Sequence, residues 1–191
     1  MKTLRILLVA VTSILAFSQA QANDIEIALS AETAQFTVRS DSSLIGWGGA
    51  DLAFGLFFND DDDIIGQISL MQARQASKGA PLTFGVGVRG YVGNLDLIKQ
   101  NVLALGIGGE IRYTIPGVMP MAIYLQGHYA PKITSFSDTE RVADLLLGYQ
   151  IEILPQTIAF AGLRRLEVDT EKVNDYDLDD NRFHFGIRLT F

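Results

Sequence analysis

The chain has 191 residues, with 15 basic and 22 acidic side chains and a formal net charge of −7. This negative balance argues against a nucleic-acid partner, because phosphate backbones are bound by basic surfaces. There is no cysteine, so thiol catalysis and cysteine-ligated metals are excluded and no disulfide holds the fold.

The first 22 residues have the pattern of a secretory signal peptide. Two basic residues precede an apolar stretch (6–17), and Ala20-Gln21-Ala22 is a small-x-small cleavage motif. The apolar stretch is too short to cross a bilayer, which takes about 20 residues. We therefore predict that residues 1–22 are removed after export and that residues 23–191 form a single domain.

Beyond the signal, apolar residues alternate with other residues in segments of about ten positions. Alternation with period two is typical of β-strands, whose side chains point to opposite faces in turn. Apolar residues seldom recur at the spacing of a helix, and no apolar run approaches the length of a transmembrane helix, about 18 residues. The predicted strands, in chain order, are 50–58, 64–73, 82–92, 103–113, 121–129, 144–151, 157–168 and 183–191.

The segment before these eight strands changes its apolar phase. Apolar residues occupy odd positions from Ile25 to Leu29 and even positions from Ala34 to Val38. A hairpin here would make ten strands in all, one bulged strand would make nine, and a plug or periplasmic segment would leave eight. Bacterial outer-membrane barrels have even strand numbers, so we favour ten.

The two faces of the predicted strands differ in bulk. One face carries large apolar side chains on nearly every strand, and the other is rich in glycine, alanine and a few long polar residues. A barrel of eight to ten strands has an interior just wide enough to be filled by side chains, which leaves too little room for the bulky set. We therefore predict an all-β fold, a small antiparallel transmembrane β-barrel in the outer membrane of a Gram-negative bacterium, with the bulky face toward lipid. A soluble periplasmic binding barrel is the alternative.

The last strand is apolar along one entire face. A terminal aromatic after alternating apolar residues resembles the C-terminal signal that barrel assembly machinery recognises on outer-membrane proteins. We predict this machinery as a partner, together with outer-membrane lipid and lipopolysaccharide, and a monomeric barrel. Tyr113, Tyr129 and Phe191 are candidate interfacial aromatics. The candidate assembly signal consists of Phe183, Phe185, Ile187, Leu189 and Phe191.

A periplasmic C-terminus assigns the connections between strands to the two sides of the membrane. Residues 115–120 and 154–156 become tight periplasmic turns, as their prolines suit. The extracellular loops are then 59–63, 93–101, 131–138 and 169–181. "DYDLDDN" (175–181) resembles the start of a calcium loop but lacks its turn glycine and its bidentate glutamate. A solvated loop, or diffuse Mg²⁺ or Ca²⁺ bridging to lipopolysaccharide phosphates, are the other interpretations, and no dedicated metal site is predicted.

Charged and polar residues interrupt the small face of the strands. Buried charges must be paired or hydrated, so we predict a salt-bridge network that fills a narrow lumen. A porin-like constriction for small polar solutes is the alternative, although open channels need about 16 strands. The candidate lumen residues are Arg89, Glu110, Arg112, His128, Asp144, His184 and Arg188.

No catalytic or cofactor-binding residue is predicted. "GVGVRG" (85–90) fits a dinucleotide-binding fingerprint, but strand alternation runs through it and no helix follows to receive the pyrophosphate. Serine hydrolysis needs a histidine base within hydrogen-bond reach, and both histidines, His128 and His184, are predicted to face the lumen. A lipid A-modifying or protease-like barrel enzyme remains the alternative class.

Several stretches resemble the YfaZ family of outer-membrane proteins and together cover most of residues 23–191. The resemblance implies an outer-membrane barrel without an established function, and it transfers no catalytic residue. The stretches are "NDDDD" (59–63), "PLTFGVGVRGYVGNLDL" (81–97), "ALGIGGEIRYTIP" (104–116), "YAPKITSF" (129–136) and the final strand.

Overall fold

The computed structural model describes residues 24–42 and 49–191, without the side chains of residues 180 and 181. The predicted signal peptide lies outside the described residues. Lys132–Thr134 forms a 3₁₀ helix of three residues, the one helical element that lies wholly within these residues. The strands are β1 Asp24–Leu29, β2 Thr33–Asp41, β3 Asp51–Asn59, β4 Ile64–Gln75, β5 Leu82–Leu95, β6 Gln100–Ile115, β7 Met121–Ala130, β8 Ser135–Ser137, β9 Thr139–Leu154, β10 Thr157–Thr170 and β11 Tyr176–Thr190.

Antiparallel pairing of neighbours in the chain closes the sheet on itself. Within the described part, the ten strands other than β8 form the barrel, and β1 pairs with β11 to complete it. The short β8 pairs only with the start of β6. Residues 24–39 form the hairpin β1–β2, with Ile25 opposite Val38. The prediction of an all-β barrel of ten strands is therefore confirmed.

The bulky face of the strands points outward, as predicted. On β6, outward Ile107 is 68% exposed, whereas inward Ala104 is 4% exposed. Every barrel strand except β2 exposes at least one large apolar side chain. We call this set the apolar belt: Ile27, Leu29, Phe54, Ile68, Phe84, Val86, Val88, Val92, Leu103, Leu105, Ile107, Ile111, Tyr113, Ile123, Leu125, Tyr129, Leu145, Leu147, Tyr149, Ile153, Leu163, Phe183, Phe185, Ile187 and Leu189.

The barrel has two distinct ends. At the terminal end, β1 begins, β11 ends, and the fully described connections are 76–81, 116–120 and 155–156. In the last of these turns Gln156, which follows Pro155, has a φ of 66°, the positive value that a type II turn requires at its third residue. At the opposite end, the loop end, the connections are 30–32, 60–63, 96–99, 131–138 and 171–175.

Two predicted loops are much shorter than expected. Loop 93–101 reduces to 96–99, and loop 169–181 reduces to 171–175 because residues 176–181 belong to β11. The acidic stretch "DYDLDDN" therefore continues a strand, with Tyr176 opposite Val168. The pairing of β10 with β11 changes register between Arg164 and Glu167, which indicates a β-bulge there. A bulge takes up an extra residue and lets pairing resume beyond it, which a strict period of two does not reveal.

The interior at the loop end is apolar, which the sequence analysis did not predict. Eleven buried side chains pack there into one cluster, with Ile98 and Tyr176 against it. They come from positions close to the loops, such as Leu95 at the end of β5 and Val102 near the start of β6. We call this cluster the apolar plug: Phe57, Ile65, Tyr91, Leu95, Val102, Ala104, Ala130, Val142, Leu166, Val168 and Leu178.

Candidate functional site: the polar lumen

The structure places all seven predicted lumen residues on the inward faces of their strands. Arg89 lies on β5, Glu110 and Arg112 on β6, His128 on β7 and Asp144 on β9. His184 and Arg188 lie on β11 and, like His128 and Asp144, are buried. Their inward placement follows from alternation, because each residue has at least one outward apolar neighbour in the sequence.

Asp144 is the centre of the cluster nearest the plug. Its Oδ2 accepts hydrogen bonds from Arg89 Nη1 at 2.7 Å and Arg164 Nη2 at 3.0 Å, and Oδ1 accepts one from Arg164 Nε at 3.1 Å. The Tyr91 hydroxyl donates to Oδ2 at 3.4 Å. Two arginines therefore share this buried carboxylate, which supplies the paired geometry that a buried ion needs.

Arg164 spans the lumen directly below the plug. Besides Asp144, its guanidinium donates through Nη1 to Gln35 Oε1 on β2. Its Cζ also lies 5.4 Å from the centroid of the Phe57 ring on β3, within the range of a cation–π contact. One side chain of β10 thus contacts three other strands and separates the apolar plug from the polar lumen.

A second cluster lies closer to the terminal end, around Glu26 on β1. Glu26 Oε2 accepts hydrogen bonds from Arg188 Nε at 2.8 Å and Arg39 Nη2 at 3.0 Å. Nearby, Arg112 Nε donates to Glu110 Oε1 at 2.7 Å. The same guanidinium stacks over Tyr124, with its Cζ 5.1 Å from the ring centroid.

The two histidines are not part of these hydrogen-bonded clusters. Neither ring nitrogen of His128 has a partner among residues 24–42 and 49–191, although Asp144 is its cross-strand neighbour. Nδ1 of His184 also has none in that part of the chain. The His184 ring instead packs beside Phe160, with the ring centroids 6.1 Å apart.

Several lumen residues were missed by sequence reasoning. Alternation alone contained the signal for both Glu26 and Arg39: Glu26 lies between two isoleucines of β1, and Arg39 follows the alternating outward residues Phe36 and Val38 of β2. Arg164 was ambiguous beside Arg165, and the bulge that follows it explains why. The structure turns Arg164 inward and leaves the Arg165 side chain 47% exposed.

Below the plug the lumen is a cavity of about 310 Å³, with both clusters in its walls. Its lining runs from Asp24 and Asp51 at the terminal end to Asp144 and Arg164 at the plug. Within the described residues, no group of three or more histidines and carboxylates is placed to hold a metal ion. The same part of the chain contains no helix long and apolar enough to cross a bilayer.

The loop end is held together by a buried carboxylate, Asp63. It accepts hydrogen bonds from the Tyr176 hydroxyl at 2.9 Å, the Asp96 amide at 2.7 Å and Asn59 Nδ2 at 3.0 Å. We call these contacts the Asp63 clamp. Burial, together with the hydrogen bond to Asp63, raises the pKa of Tyr176. The phenol therefore remains a donor at neutral pH.

Arg141 joins the neighbouring hairpin beyond the apolar belt. Its guanidinium donates to Asp169 at 2.6 Å and to Asp175 at 2.8 Å. The hydrogen bond from Arg141 holds the pKa of Asp169 below its usual value. The acidic loop-end residues named here thus tie hairpins to one another.

The structure defines the chain as a closed, ten-stranded antiparallel β-barrel, and its apolar outer surface and charged interior are compatible with an outer-membrane barrel. Comparison of the chain with protein-family models, with curated proteins and with solved structures found no match.

Proposed function

We propose that this chain is an outer-membrane β-barrel protein with a plugged, non-conducting lumen and a structural or interaction role. The observation that carries the proposal is the distribution of side chains, with the apolar belt outside and paired charges inside. Soluble proteins rarely expose contiguous apolar patches larger than a few hundred Å². An apolar band around a closed barrel instead suits the hydrocarbon core of a membrane.

The alternative of a soluble binding barrel is disfavoured by the same distribution. In such a barrel the bulky side chains would point inward, whereas here Phe185 and Ile187 are 56% and 49% exposed. Tyr113 is exposed near the end of β6 on the terminal side, and Tyr129 is exposed near the end of β7 on the loop side. That spacing supports two interfacial girdles.

A conduit is disfavoured by the apolar plug. Ile65, Leu95 and Leu166 are fully buried across the interior at the loop end. Barrels of this size fill their interior with side chains, and here the filling is apolar on the side where a solute would enter from outside. The salt-bridge clusters below the plug then serve as internal wall contacts.

We further propose that the barrel is monomeric and that outer-membrane lipid and lipopolysaccharide are its surroundings. A sheet that closes on itself leaves no long edge for pairing with another chain. The exposed apolar face of residues 183–191 supports recognition by barrel assembly machinery. Membership of the YfaZ family is part of this proposal, and it rests on the stretches quoted above.

A catalytic role is less well supported than a structural one. Hydrolysis by a serine nucleophile requires a histidine within hydrogen-bond reach of it. The two nitrogens of His128, and Nδ1 of His184, make no such bond within the described chain. We therefore propose no catalytic role for either histidine.

Two measurements test the proposal. Refolded protein should float with liposomes and migrate differently on a gel with and without boiling. The same preparation should show no discrete current steps in planar bilayers. Water solubility without detergent would contradict the membrane assignment, and regular channel openings would contradict the plugged lumen.

A further inference from the structure

The cavity below the plug has the size of a small ligand site. Its volume of about 310 Å³ is at the lower end of the range of about 300–1,000 Å³ found for ligand pockets. It is comparable to about ten water molecules in the liquid, so a molecule of dipeptide size suits it. A plugged structural barrel needs no such space, so any ligand goes beyond the proposed function.

The charges that line the cavity are nearly balanced but separated along its depth. Among the described residues, five arginines and six carboxylates line it. Asp51 is exposed and Asp24 half-buried where β3 and β1 begin, at the terminal end. Deeper, Glu26 is paired with two arginines, Arg39 and Arg188, so this cluster has one positive charge in excess.

Unused hydrogen-bonding groups point to the same kind of ligand. Gln67 is 8% exposed and lines the cavity, yet its Nε2 has no hydrogen-bond partner in the described chain. His184 also lines the cavity, and its Nδ1 is likewise without a partner there. A buried hydrogen-bond donor without an acceptor destabilises the fold, so an acceptor on a bound solute would stabilise Gln67.

We infer that this cavity binds a small zwitterionic solute that enters from the terminal end. Its carboxylate lies against the arginines of the Glu26 cluster and accepts from Gln67. Its ammonium group lies toward Asp24 and Asp51. A solute with a net charge of either sign should bind more weakly. The lining as a whole is nearly neutral, and one of the two charged regions of the cavity would repel such a solute.

Isothermal titration of the refolded barrel in detergent tests the inference with three probes. Glycylglycine carries both charges, acetate carries the anion alone and ethylammonium carries the cation alone. Glycylglycine should bind at least about tenfold more tightly than either of the others. Equal affinity for acetate would overturn the zwitterion assignment, and absence of glycylglycine binding would overturn the site.

Two variants separate the charged regions. Asp51→Asn at the exposed mouth should weaken glycylglycine binding without weakening acetate binding. Arg188→Gln removes the excess positive charge of the Glu26 cluster and should weaken both probes. Arg165→Gln, on the outer surface, is the matched control and should change neither. Unchanged glycylglycine affinity in Asp51→Asn would contradict the inference even if Arg188→Gln fails to fold.

Discussion

Asp144 shows how one residue organises the polar interior. Asp144 is 4% exposed, and its carboxylate is shared by two guanidinium groups. Removing one partner from a buried charge cluster leaves an uncompensated charge, which costs more than an exposed pair is worth. The residue therefore acts through the two arginines that it holds in place.

Asp144→Asn should lower the free energy of unfolding by about 3–5 kcal/mol, because Arg89 and Arg164 then lose the buried carboxylate that they share. Urea unfolding of the refolded barrel in detergent or lipid measures the loss. The control is Asp96→Asn, whose partner Lys99 lies at the surface with a 71% exposed side chain. That change should cost less than about 1 kcal/mol. Similar losses in both variants would contradict the central role of Asp144.

Inward glycines make room for aromatic rings of neighbouring strands. A Cβ added at Gly148 would lie 2.3 Å from Cζ of Tyr124, so the ring occupies the space that any larger residue needs. The Tyr124 ring in turn receives the Arg112 guanidinium. Gly148 on β9 thus leaves room for the Tyr124 ring of β7, in the position where it stacks with Arg112.

Gly148→Ala should displace the Tyr124 ring and destabilise the barrel by about 1–3 kcal/mol, the usual cost of overpacking. Gly127→Ala is the matched control, since a Cβ there meets Leu145 Cδ1 at an ordinary 3.5 Å. Chemical unfolding of the two variants should separate them clearly. Equal stability would show that the ring moves aside without cost.

At the scale of elements, hairpins of unequal height are joined at the loop end by side chains. Asp63 belongs to the connection β3–β4, Asp96 to β5–β6, and Tyr176 begins β11. The Asp63 clamp therefore links the hairpins β3–β4 and β5–β6, which are also paired through β4 and β5, to the first residue of β11, which pairs with neither. Such side-chain links raise the local stability of the loops, because loops with few buried contacts unfold locally most readily.

Asp63→Ala should release the tips of these hairpins while the barrel wall remains folded. A hydrogen bond to a charged group is worth about 1.5–3 kcal/mol, so exchange of the Asp96 amide should accelerate at least about tenfold. Hydrogen exchange followed by mass spectrometry reads this directly. Asp61→Ala changes an exposed residue of the same loop and should leave the exchange unaltered. Equal acceleration in both variants would contradict the clamp.

Some parts of the fold can be predicted from the sequence alone. Strand positions, the inward face and the ten-strand count follow from alternation, because a transmembrane-type wall demands opposite chemistry on its two sides. The phase change after Leu29 marked the hairpin β1–β2. The plug was missed because its residues break alternation: Ile64-Ile65, Tyr91-Val92 and Val102-Leu103 are apolar on both faces. Such doublets at the loop side of strands are the signal that indicates an internal apolar cluster.

Side-chain contacts across the lumen cannot be predicted from the sequence. Arg89 and Asp144 are 55 positions apart, and Arg164 and Gln35 are 129 apart. Their contact depends on strand tilt and on the bulge after Arg164, which are properties of the closed barrel. The sequence therefore predicted a charged interior but not the two clusters or the cavity beside them.

For the molecule as a whole, two boundaries define the environment of each side chain. The wall separates the apolar belt from the polar lumen, and the layer at Arg164 separates the lumen from the plug. Turns of two to six residues lie at the terminal end where they are fully described. The loop-end connections, of three to eight residues, are of similar length, so turn length does not set the orientation. In the proposed outer-membrane location, a periplasmic C-terminus would turn the cavity toward the periplasm and the Asp63 clamp toward the cell exterior.

Cysteine labelling in intact cells tests this orientation, and the chain suits it because it has no cysteine of its own. Asp61 lies in an exposed loop at the loop end, and Val118 lies fully exposed in a turn at the terminal end. A maleimide that does not cross the outer membrane should label Asp61→Cys in intact cells. It should label Val118→Cys only after the membrane is permeabilised. The reverse pattern would place the cavity toward the exterior. Protection of both sites in intact cells would contradict the proposed location at the cell surface.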